Sequence, residues 1–183
     1  MIPTEKEIIA RCQQGDTTAF RYVVQQYQTM LLTLGLKMLG DEEEAKDVVQ
    51  DTFLKAWEHI GRYDSRYAIS TWLYTIALRL CMSRMKRMRR IAPLPDDEQV
   101  LRRYMNQMDG QRQLENSELA AIVRVLAEGL GAKQRTVFTL SHLEGLDNRE
   151  IEERTGLNAR QVKSNLYAAR QIIRERLKRM GYE

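Results

Sequence analysis

The 183-residue chain is short of what catalysis and metal binding commonly need. Its two cysteines, Cys12 and Cys81, lie far apart among apolar neighbours, where small buried hydrophobes are expected. Its two histidines, His59 and His142, have no Cys or His at ligand spacing, so the sequence offers no metal site. It has no glycine-rich phosphate loop, no H-E-x-x-H pair and no nucleophile elbow. No catalytic residue and no cofactor is therefore expected, and an enzyme is the least supported class. The longest apolar run, MLLTLGLKML, falls well short of the ~20 residues that span a bilayer. The opening MIPTEKEII is charged where a secretion signal is apolar. The expectation is a cytoplasmic protein without direct membrane insertion.

Breakers are scarce too. Three prolines and ten glycines interrupt long runs of Ala, Leu, Glu, Lys, Arg, Met and Gln, the better helix formers. The fold class expected is all-α, as two small helical domains joined by a flexible linker. Thr4 with Glu7 has capping-box spacing, and Ile8, Ile9 and Cys12 give a short apolar face ending at Gly15. A second helix starts at Asp16 or Thr17, with Phe20, Val23, Val24, Tyr27, Leu31 and Leu34 at three- and four-residue steps, and ends at Gly40. Asp41 with Glu44 opens a third, whose buried stripe would be Ala45, Val48, Val49, Phe53, Ala56, Trp57 and Ile60. A loop, GRYDSRYAIS, leads into a fourth helix from about Thr71 to Arg90. These make an N-terminal bundle.

From Ile91 to Leu114 the pattern fails: two of the three prolines fall there and no apolar face persists, so a linker is expected. If flexible, it averages roughly 25–30 Å end to end. Helices resume near Ser117, one closing at Gly129 and another running from about Ala132 to Leu143. Asp147 with Glu150 caps a short helix, Gly156 suits a left-handed turn residue, and Asn158 with Gln161 caps a longer helix. Val162, Leu166, Ala169, Ile173 and Leu177 would face inward, giving a helix-turn-helix within a C-terminal four-helix domain.

Charge is distributed unevenly over a chain of net +4. Between Arg154 and Arg179 eight basic residues face one acid, Glu175. The start of a recognition helix reads base edges and its flanks meet phosphates, so Arg160, Gln161, Lys163, Ser164 and Asn165 are the candidate readers. The segment Arg79–Arg90 holds six basic residues and no acid, and Tyr63, Tyr67, Trp72 and Tyr74 lie just before it. Aromatics beside positive charge suit a single strand. By contrast, Asp41–Asp51 holds six acids in eleven positions. Asp47, Gln50, Asp51 and Glu58 lie beyond the capped first turn, and Asp47, Asp51 and Lys55 align at i, i+4 and i+8. DNA would repel that face, so a basic protein surface is its expected partner.

Together these residues resemble the sigma-70 family of bacterial transcription initiation factors, in its small extracytoplasmic-function (ECF) group. GDTTAFRYVVQQYQ, DVVQDTFLKAWEHI, TWLYTIAL and the run from KQRTVF to RERL stand in the family's order. The resemblance implies a region 2-like domain over 1–90, a linker over 91–114 and a region 4-like domain over 115–183. It implies that bacterial core RNA polymerase is bound through Asp47, Gln50 and Asp51, with Lys55 on the same face. It implies that the melted minus-ten promoter element meets Tyr63, Tyr67, Trp72, Tyr74, Arg79, Arg84, Lys86 and Arg87. The duplex minus-thirty-five element would meet Arg149, Arg160, Gln161, Lys163, Ser164, Asn165 and Arg170. Members of the group are commonly held by an anti-sigma factor, so such a partner is implied as well.

The chain departs from the family's usual residues at several points. Arg79 stands for Asn, Ile69 for Phe, Arg160 for Gly and Asn165 for Arg, which points to base preferences of its own, while Gly131-Ala132 for Leu-Pro looks like a change at a helix start. A stand-alone helix-turn-helix regulator would explain the basic C-terminus but leave the acidic face idle. A helical scaffold would have no salt-dependent DNA affinity.

Overall fold

The computed structural model describes residues 4–91, 123, 126–127 and 129–179. The expected linker beyond Ile91 and the start of the helix expected near Ser117 lie outside them. The chain divides into two compact units, Met1–Ser83 and Arg84–Glu183.

In the first unit α1 (Glu5–Gln13), α2 (Thr17–Leu39), α3 (Glu42–His59) and α4 (Ile69–Ile91, continuing past the unit's end) follow the expected order. Local chemistry sets the boundaries. Thr4 and Glu7 cap α1 reciprocally. Asp16 accepts from the amides of Thr18 and Ala19 at the start of α2, and those of Ala19, then the Arg11 side chain, hold its carboxyl below the ordinary range. Gly40, at φ 70°, ends α2 in the left-handed conformation that glycine adopts without a steric penalty.

α2 and α3 pack against each other through close contacts at both ends. Phe20 meets Trp57 at 5.1 Å and Phe53 at 6.2 Å between ring centroids, both edge-on. At the other end Gly35 lies so close to α3 that an added Cβ would fall 2.9 Å from the Ala45 Cβ. Leu31, Leu34, Met38, Val48, Leu73 and Leu78 fill the core, with both cysteines buried and unpaired to each other. Helix α4 starts at Ile69, two residues before the expected Thr71, and Ile69 is a core residue at 1% exposure.

In the second unit α5 (Ala132–Phe138) runs into a wide π turn, Thr139–Leu143, followed by α6 (Asn148–Thr155) and α7 (Ala159–Arg179). The sequence predicts one uniform helix over Ala132–Leu143; the structure differs in its last turn, where the Glu144 amide reaches the Thr139 carbonyl at 3.1 Å. Gly131 has no capping side chain, and the Gln134 side chain reaches back to accept from its amide at 3.0 Å. Asp147 with Glu150 and Asn158 with Gln161 form reciprocal caps at 2.9–3.1 Å. Gly156 takes the left-handed turn at φ 72°. Val162, Leu166, Ala169 and Ile173 line the inward face of α7, and Leu177 is half-buried.

Candidate functional site

Helix α3 turns an acidic face outward. It carries six carboxylates and two lysines. Lys46 spans Glu42 and Glu43 at 2.9 Å each, so the first turn is partly self-neutralised. Beyond it, Asp47, Gln50, Lys55 and Glu58 are exposed and Asp51 half-exposed, opposite the buried Ala45, Val48, Phe53 and Ala56. Leu54, which the sequence reading passed over, lies on this polar face at 62% exposure.

The loop between α3 and α4 is tightly built. The Gln13 amide nitrogen donates to the carbonyls of Ile60 and Tyr63, tying the loop's start to α1. Asp64 accepts from the backbone and guanidinium of Arg66 at 2.5–3.0 Å. Tyr63 lies tilted against Trp72, half-buried in the first turn of α4, with ring centroids 5.1 Å apart, and donates its hydroxyl to the Tyr67 carbonyl. Tyr63 is thus held within the loop, while Tyr67 is 66% exposed. Tyr74 requires a correction. Its side chain is 5% exposed, because Tyr74, Leu78, Cys81 and Met85 form the inward stripe of α4, so it packs in the core and does not present its ring on the surface as Tyr67 does. On the outward side Thr71, Arg79, Ser83, Lys86 and Arg87 are exposed, with Thr75 and Arg84 half-buried.

Helix α7 divides the expected readers between two edges. At 3.6 residues per turn Arg160, Lys163, Tyr167, Arg170 and Arg174 share one exposed stripe. Tyr167, 66% exposed in its middle, was missed, although its three- and four-residue spacing to those cations was a usable signal. Gln161 and Asn165 lie on the other edge, where Asn165 lines a cleft of about 590 Å³ with Gly131, Lys133, Gln134 and Arg176. The polar groups of three readers are turned onto their own helix. Gln161 caps Asn158, while Ser164 and Asn165 donate to the Gln161 carbonyl at 3.2 and 2.7 Å. Arg149 pairs with Glu153 at 3.3 Å. Arg170 donates to the Nε2 of His142, whose ring stacks on Phe138 at 4.5 Å. Partial burial, then the Arg170 charge, lowers the His142 pKa. Arg176 turns inward and donates at 3.0 Å to the Leu126 carbonyl. An added Cβ on Gly129 would fall 2.1 Å from its guanidinium.

An acidic helix face, an aromatic loop leading into a basic helix and a basic helix-turn-helix are the parts of a protein that bridges another protein to DNA. Residues 23–91 match the family Sigma-70 region 2, and residues 120–173 match Sigma-70, region 4. The RNA polymerase sigma-H factor of Pseudomonas aeruginosa is 29% identical over 180 residues, covering 92% of this chain and 91% of that protein. The ECF RNA polymerase sigma factor SigW of Bacillus subtilis is 29% identical over 185 residues, covering 94% and 96%. Among solved structures, CnrH in complex with the cytosolic domain of CnrY superposes with a TM-score of 0.59 at 22% identity, covering 93% of this chain and 95% of that one. The sigma factor RpoE of Bartonella quintana, in complex with the anti-sigma factor NepR, gives 0.58 at 21%, covering 87% and 96%.

The chain belongs to the sigma-70 family, in its ECF group. It is an RNA polymerase sigma factor, which directs transcription initiation to promoters.

Proposed function

We propose that the charged surfaces divide this work. The acidic face of α3, with Asp47, Gln50, Asp51 and Lys55, docks on a basic surface of core RNA polymerase. Tyr67, with Tyr63 and Trp72 as its support, and the outward side of α4 with Arg79, Arg84, Lys86 and Arg87 hold the melted minus-ten strand. The stripe Arg160–Lys163–Arg170 approaches the minus-thirty-five duplex, with Arg149, Gln161, Ser164 and Asn165 as further polar contacts. The segregation of charge carries this reading: six carboxylates on α3, and a cationic stripe on α7. A duplex attracts the second and repels the first.

The domain limits follow the same division, with 1–90 serving polymerase and the minus-ten element, 91–114 linking, and 115–183 serving the minus-thirty-five element. The protein acts without chemistry of its own, and it works in the cytoplasm, where core polymerase is. No helix among the described residues is long and apolar enough to cross a membrane. RpoE of Bartonella quintana was solved with an anti-sigma factor. We infer a regulator of the same kind for this chain.

Transcription of genomic fragments from the source bacterium by purified core polymerase tests the reading. The wild type is expected to give discrete start sites that need both core and this protein. Arg160→Ala/Lys163→Ala is expected to lose those starts while still co-purifying with core. Retained starts in that variant would contradict the assignment of α7.

A further inference from the structure

Helix α3 is amphipathic, yet its polar face carries one large apolar side chain. Leu54 is 62% exposed, against 40% for Leu36, the other strongly exposed leucine among the described residues. Its position is specific. Asp47, Leu54 and Glu58 stand at i, i+7 and i+11, on the side opposite the buried Ala45, Val48 and Ala56. Gln50 and Asp51 lie one turn before Leu54 and Glu58 one turn after. The leucine therefore sits at the centre of a polar, mainly acidic ring. An apolar centre inside a polar rim is the anatomy of a protein-binding hot spot.

The ring also selects among occupants. An anionic membrane or a nucleic acid would be repelled by Asp47, Asp51 and Glu58, and the same face of a second copy would meet like charge. A cationic protein surface is attracted, and only one with an apolar depression removes Leu54 from water. We propose that Leu54 is the apolar anchor of the polymerase-docking face, seated in an apolar socket flanked by cations on core RNA polymerase. This rests on the docking role given above to α3. The division of labour follows: Asp47 and Asp51 steer encounter and carry its salt dependence, while Leu54 sets how long the complex lasts.

Association and dissociation of the full-length protein with purified core polymerase, at two salt concentrations, test this. Leu54→Gln keeps helix propensity and removes the apolar end, and Leu54→Met keeps the apolar end. Leu54→Gln is expected to dissociate at least about tenfold faster with an unchanged association rate, while Leu54→Met stays near wild type. Asp47→Asn/Asp51→Asn is expected to slow association, most at low salt. If Leu54→Gln leaves core as slowly as wild type while the aspartate variant binds poorly, docking is by charge alone; the anchor is refuted and the docking face stands. If wild type does not bind core, the docking role itself fails. If Leu54→Gln binds core normally but abolishes a self-association of wild type seen by sedimentation, the occupant is a second copy and the proposal is overturned.

Discussion

At the scale of single residues, the informative side chains are those whose partners lie on another element. His142 is one. The π turn carries its ring over Phe138, and its Nε2 accepts from Arg170 on α7. Burial and the neighbouring guanidinium both disfavour a second proton, so its pKa is lowered in the fold. The unfolded chain then takes up that proton first. The stability tied to neutral His142 is complete above the ordinary histidine pKa of about 6.5 and is lost as pH falls through the lower folded value. Hydrogen-exchange protection of the buried α7 amides of Leu166 and Ala169 is expected to drop between pH 7.5 and 5.5 in the wild type, and to change less in His142→Gln. Equal drops would assign the acid sensitivity elsewhere. The reciprocal caps were legible in the sequence because they join residues three apart. That Gln161, Ser164 and Asn165 bond to their own helix was not, since composition does not say where a polar side chain turns.

Elements were read correctly where apolar periodicity and caps agreed, as in α1, α2, α3, α6 and α7. Errors arose where a helix's phase decided a side chain's fate. Tyr74 was placed by its nearness to a basic run, yet its steps to Leu78, Cys81 and Met85 put it in the core. Tyr167 is the converse, an aromatic whose spacing to Arg160, Lys163, Arg170 and Arg174 marked an outward stripe. The α2–α3 contact at Gly35 had no local signal, because a close crossing depends on a residue ten positions away on another helix. Gly35→Val fills that crossing, and the overpacking costs about 1–3 kcal/mol. Trp57 and Trp72 both lie in the first unit, so urea unfolding followed by tryptophan fluorescence isolates it. The midpoint is expected to fall; an unchanged midpoint would mean that the helices separate at little cost.

For the molecule as a whole, the sequence carried the family and the order of its parts, because four motifs recur in sequence and their spacing fixes helices and caps. The fold agrees with that reading within each unit. What the sequence left open was which groups of the acidic and basic runs face outward, and the structure supplies this through helical phase. On the division of labour proposed above, one face attracts a basic protein while others attract DNA, and a stand-alone regulator has no need of the first. The direct test is co-elution with purified core RNA polymerase on gel filtration, comparing wild type with Asp47→Arg/Asp51→Arg after circular dichroism has shown that both are folded. The account expects wild type to co-elute with core and the charge-reversed protein to elute alone, with duplex binding retained by both. A charge-reversed protein that still co-elutes with core would contradict it, as would a wild type that elutes alone while binding duplex DNA.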